Sequence, residues 1–174
     1  MTKIEKVSER VVYTGLFLAL GLLLPQLFHF LPLANAGKML LPMHIPTILA
    51  GYMLGSRQGA IVGCLSPLLS CLMFQMPAFL MMPAMCAELM TYGIVAGLVS
   101  GKIKNNILSL MTVMISGRIV NCLMYVLMIN LLGITKLNME MFFASLTMGV
   151  PGIILQIALI PPMISVLNKF RGEF

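Results

Sequence analysis

Two ionisable residues lie inside long apolar runs of this sequence, and their neighbours could share their chemistry. Arg118 is followed by Asn121 at the third position and Tyr125 at the seventh, so on a helix a guanidinium, an amide and a phenol line one face. Glu88 is followed by Thr91 and Tyr92 at the third and fourth positions, a second polar face. The planar guanidinium fork matches a carboxylate or phosphate. Two readings of Arg118 follow: it neutralises Glu88, or it binds a ligand. His44, within Leu41-Pro42-Met43-His44-Ile45-Pro46, and Lys38 complete the set of polar candidates.

The elements that position these residues belong in a membrane. Of 174 residues, 60% are hydrophobic and 9% charged, too little polar surface for a water-soluble domain. Apolar runs fall at Val11–Phe30, Leu41–Leu54, Ala60–Phe74, Met81–Ser100, Ile107–Leu132 and Phe142–Leu167. They predict an all-α, polytopic bundle of six transmembrane helices forming a single domain over residues 1–174. The second and third runs are short and joined by Gly55-Ser56-Arg57-Gln58-Gly59, which predicts a helical hairpin.

Basic residues stay preferentially on the cytoplasmic side. With the N-terminus inside, Lys3, Lys6, Arg10, Arg57, Lys102, Lys104, Lys169 and Arg171 are inside, whereas Lys38 and Lys136 are outside. Both termini are then cytoplasmic. Glu88, Tyr92, Arg118, Asn121 and Tyr125 fall in the outer-facing half, with Lys38 in the first external loop and His44 at the outer end of the second span. That arrangement predicts a pocket open to the outside.

Several functions are excluded or disfavoured. No Asp occurs, which removes aspartyl intermediates, paired aspartates and a Ser-His-Asp set. Gly55–Gly59 lacks the Gly-Lys-Ser/Thr ending of a phosphate-binding loop, so the chain does not hydrolyse ATP by itself. Cys64, Cys71, Cys86 and Cys122 have neither zinc-ligand nor disulfide-framework spacing and read as packing residues. The scattered basic residues form no nucleic-acid stripe, and the 18 methionines read as soft packing. An intramembrane enzyme is the alternative function class, with Glu88, His44 and the cysteines as its only chemical resources. In the first run, Gly15 and Ala19 are four residues apart, small enough for another helix to approach closely.

The order of several motifs resembles the substrate-binding S components of energy-coupling factor (ECF) vitamin transporters. They are Leu41-Pro42-Met43-His44-Ile45-Pro46-Thr47-Ile48-Leu49-Ala50-Gly51, then Gly55, Gly59-Ala60 and Gly63, Ser66-Pro67-Leu68-Leu69-Ser70, Met76-Pro77, Glu88-Leu89-x-x-Tyr92-Gly93, and Gly149 to Gln156. The resemblance implies a non-enzymatic subunit of the bacterial cell membrane that captures a vitamin-like molecule from outside. It also implies association with a T component and two cytoplasmic ATPase subunits, no cofactor of its own, a gating first loop at about Leu33–Leu40, and T-component contact at Gly15 and Ala19. Gly15 departs from the family's usual Ala-x-x-x-Ala. Arg118 and Lys38 favour a carboxylate-bearing ligand, and the resemblance points to pantothenate. Riboflavin, folate and a pyrimidine or queuosine precursor are the alternatives; few aromatics and no Trp disfavour the large ring systems.

Overall fold

The computed structural model describes residues 3–29, 39–130 and 139–170, all of it helices and short connections. The helices are α1 (Lys3–His29), α2 (His44–Leu54), α3 (Ser56–Phe74), α4 (Met82–Val99), α5 (Asn106–Asn130), α6 (Met139–Met148) and α7 (Val150–Phe170). Four of them, α1, α3, α4 and α5, are each long and apolar enough to cross a membrane. The pair α6 and α7 passes the same test together as a bent unit, and α2 does not. At 11 residues, α2 is about 16 Å long, half the hydrocarbon thickness. The sequence runs thus recur as helices, the second short as expected, with two differences: the third, expected to be short, starts at Ser56 inside the expected turn and is a 19-residue helix, and the last is broken in two.

Both differences have local causes. At Gly55 the backbone takes φ 97°, which glycine adopts without a Cβ clash, so α2 ends and α3 begins within one residue. The 46° bend between α6 and α7 falls at Gly149, just before Pro151, which brings no N–H to a continuing helix. Elsewhere, Gln75 in the left-handed region closes α3, its N–H donating to the Cys71 carbonyl at 3.0 Å. Asn105 caps α5, its Oδ1 accepting from Ile107 N and Leu108 N at 3.0 and 3.3 Å.

The short helix α2 is at the centre, packed against α1, α3, α4 and α7, and almost all its side chains are buried. Backbone approaches backbone between α3 and α4 and between α2 and α4. A Cβ at Gly63 would collide with the Leu89 carbonyl, one at Gly93 with the Gly59 carbonyl, and one at Gly51 would crowd the Gly93 carbonyl. Small residues at helix contacts replace the hydrophobic drive that lipid does not supply. Outward-facing apolar side chains, such as Val12, Leu16 and Leu23 on α1 and Ile115, Ile119 and Leu123 on α5, are exposed. They form the surface of a multi-pass membrane protein.

One end of the bundle is marked by basic turns. Arg57 follows the α2–α3 break, and Lys102 and Lys104 follow α4. Hydrogen bonds bring these turns together: Ser100 Oγ donates to the Tyr52 carbonyl at 3.0 Å, and the Tyr52 and Ser109 hydroxyls pair at 2.7 Å. Asn106 Nδ2 donates to Ser165 Oγ at 2.8 Å, tying α5 to the later part of α7 at this end.

Candidate functional site

The Glu88 carboxylate is the hub of a polar cluster that spans α2, α4 and α5. Its side chain is only 5% exposed, and Arg118 Nη1 lies 3.1 Å from Oε1. The Tyr92 hydroxyl donates to the same oxygen at 2.7 Å. Asn121 Nδ2 donates to Oε2, also at 2.7 Å. His44 Nε2 is 3.8 Å from Oε1, beyond hydrogen-bond range, and its ring tilts against Tyr92 with centroids 5.3 Å apart. An isolated carboxylate in this interior is prohibitively costly, and a cation with two further donors is what allows it to stay.

Helix geometry explains the convergence. Glu88 and Tyr92 are four residues apart, one above the other on α4. Arg118 and Asn121 are three apart on α5, which packs on α4. Gly117 decides how closely they meet: a Cβ there would overlap the Tyr92 ring, so only glycine admits the tyrosine against α5. The α2 turn begins with His44 N–H donating to the Leu41 carbonyl at 3.1 Å, which seats the imidazole at the start of α2. His44, Glu88 and Asn121 are all buried.

Not every expected residue joins. Thr91 Oγ1 donates to its own helix at the Ala87 carbonyl, 2.7 Å away. Tyr125 is buried one turn beyond Asn121, where its ring packs on Phe142 of α6 at 5.6 Å, in a separate apolar cluster with Ala84 and Met128. Lys38 and residues 33–38 of the first loop lie outside the described residues. Gly15 and Ala19 are exposed on α1, and no atom is within 4 Å of a Cβ built at Gly15.

Hydrogen-bonding capacity remains in the interior. His44 Nδ1 and Nε2, Asn121 Oδ1, both amide atoms of Gln156, and the hydroxyls of Ser66 and Ser70 are buried with no hydrogen-bond partner among the described residues. Each such amide or hydroxyl costs about 1–3 kcal/mol. Gln156, Ser66 and Ser70 fall within the sequence motifs but carry no charge, so their only signal as site residues is a polar side chain within an apolar run. Ser66 sits against Gly21 of α1, whose Cβ would be 2.7 Å from its hydroxyl. Gly149, at the bend, abuts Leu41 and the second terminal nitrogen of Arg118, and Gly152, on α7, abuts Met39 and Leu40. An open cavity of about 360 Å³ between α5 and α7 includes Met114, Arg118, Cys122 and Ile153 in its lining. Among the described residues no three His, Cys, Asp or Glu side chains are grouped to hold a metal. The chemistry on offer is recognition by charge and hydrogen bonds.

The model of the protein family described as ECF transporter, substrate-specific component, matches residues 9–164. The chain belongs to this family. Comparison with curated proteins and with solved structures gave no significant match. As an S component it is a transporter subunit that recognises a small molecule, and it works with the other subunits of an ECF transporter. The match takes in every described residue of the Glu88 cluster and α7 as far as Ile164.

Proposed function

We propose that this S component captures a vitamin-like molecule at the outer face of a bacterial cell membrane and hands it on for ATP-driven uptake. The observation that carries this reading is the buried Glu88–Arg118 cluster with unused hydrogen-bonding atoms around it, in a chain of the substrate-specific family. The cluster lies toward the end of the bundle opposite Arg57, Lys102 and Lys104, so the preference of basic residues for the cytoplasm makes it face outward. With α2 as a short, protein-enclosed second span and α6–α7 as a bent sixth, the bundle has six spans and cytoplasmic termini.

Pantothenate is the substrate we favour. A ligand carboxylate would meet Arg118, whose second terminal nitrogen is directed to the start of α7, where a Cβ on Gly149 would lie 3.4 Å from it. No cofactor is assigned to the chain. ATP hydrolysis belongs to two cytoplasmic partner subunits, and a T component docks on the exposed Gly15 and Ala19 face of α1. Isothermal titration of the purified chain in nanodiscs against a vitamin panel should give one tight ligand at about one site. A folded chain that binds no member of the panel overturns the proposal.

A further inference from the structure

The end of the bundle that carries the basic turns holds a second cavity, which shares no lining residue with the Glu88 cluster. It is open, with a volume of about 620 Å³, within the range of about 300–1,000 Å³ for small-molecule sites. Lys102 and Lys104, from the turn between α4 and α5, belong to its lining. Both are exposed, and neither is in an ion pair with a described residue. No acidic residue is among those that line the cavity. Two positive charges thus border one recess with nothing in its lining to offset them.

Hydrogen bonds fix the frame that carries the lysines. Gly101 takes φ 77°, a conformation that suits glycine in a tight turn, and the Lys102 N–H donates to the Val99 carbonyl at 3.0 Å. Among the other lining residues, the Tyr52 and Ser109 hydroxyls pair at 2.7 Å, and Asn106 Nδ2 donates to Ser165 Oγ at 2.8 Å. These bonds tie α2, α5 and α7 together around the cavity. Its lining therefore combines two cations with hydroxyl and amide groups and with the apolar side chains of Ile103 and Ile164.

The position of the cavity narrows the choice of ligand. It lies where α2 and α4 end and α5 begins, the level at which membrane spans pass from hydrocarbon to headgroups. A phosphodiester supplies the missing negative charge, and lysine binds phosphate as a point charge. Basic pockets between transmembrane helices hold anionic headgroups in this way. A free phosphate ion would meet the lysines but leave Ile103 and Ile164 unmatched, whereas a phospholipid brings phosphate and hydrocarbon in one molecule.

We infer that this cavity binds the headgroup of an anionic phospholipid, with Lys102 and Lys104 on its phosphate and Ile103 and Ile164 against its glycerol and first acyl carbons. The site is independent of the molecule that the Glu88 cluster recognises.

The test is native mass spectrometry of the whole chain in mixed micelles, titrated with phosphatidylglycerol or with phosphatidylcholine of the same acyl chains. Circular dichroism checks that every variant is folded. One phosphatidylglycerol should bind at least about tenfold more tightly than phosphatidylcholine, since each lysine near an anionic headgroup contributes about fivefold. Lys102→Ala/Lys104→Ala should abolish that preference. Arg57→Ala, which deletes a charge at the same end but outside the lining, should change it less than about twofold. Inorganic phosphate at the same concentration as the lipid should not displace it. Equal binding of the two lipids, a preference retained in the folded double-lysine variant, or a loss in Arg57→Ala as large as in Lys102→Ala overturns the site. Displacement by inorganic phosphate overturns the lipid as its occupant.

Discussion

Removing Arg118 isolates the electrostatic logic of the interior. In Arg118→Ala the Glu88 carboxylate, 5% exposed, keeps the Tyr92 and Asn121 hydrogen bonds at 2.7 Å but loses its cation at 3.1 Å. Breaking a buried ion pair by deleting one partner costs about 3–5 kcal/mol. Because Arg118 is 18% exposed and two donors remain, the loss should fall near the lower end, about 3 kcal/mol. Glu88→Gln should cost a similar amount for a different reason. It leaves the Arg118 guanidinium without its anion, although the Asn121 amide can turn its unpartnered Oδ1 toward the new NH2 group. The double variant Glu88→Gln/Arg118→Met removes both charges together and should lose less than the sum, with a coupling of about 2 kcal/mol. Unfolding in mixed micelles with increasing sodium dodecyl sulfate, followed by circular dichroism, gives all three values. A loss below about 1 kcal/mol for Arg118→Ala, or an additive double variant, refutes the reasoning.

Tyr92→Phe deletes only the hydroxyl that donates to Glu88 and should cost about 1.5–3 kcal/mol in the same unfolding assay, the range for a hydrogen bond to a charged group. Gly93→Ala would press a methyl into the Gly59 carbonyl; the expected loss is about 3 kcal/mol or outright misfolding, read from monodispersity and unfolding, and a native-like variant would count against the close α3–α4 contact. Gly15→Leu faces open space and should leave stability within about 0.5 kcal/mol, yet abolish co-purification with the T component. An intact complex would remove Gly15 from that contact.

Much of the helical layout is legible in the sequence because each span must satisfy its own backbone hydrogen bonds in lipid, and that demand leaves a continuous apolar run. The runs at Ala60–Phe74, Met81–Ser100 and Ile107–Leu132 match α3, α4 and α5 to within a few residues at each end. The break at Gly149 was harder to read, since Gly and Pro occur inside spans that stay continuous, as Pro67 does in α3. Within the site, the i+4 pair Glu88 and Tyr92 follows from helix periodicity alone. Tyr125 shares the stripe with Arg118 but is directed to α6, because a seven-residue step spans two turns and reaches a different neighbour.

Composition and spacing by themselves determined that the chain lives in lipid, that its charges are few, and that Glu88 and Arg118 are the exceptional ones. These are properties of single residues and of neighbours along one helix. Only the tertiary structure decided that the two form a pair, because that depends on how α4 and α5 meet, and Gly117 sets that distance by admitting the Tyr92 ring. It also brought out Gln156, an ordinary amide in the sequence, which the packing of α7 against α2 and α5 buries without a partner among the described residues.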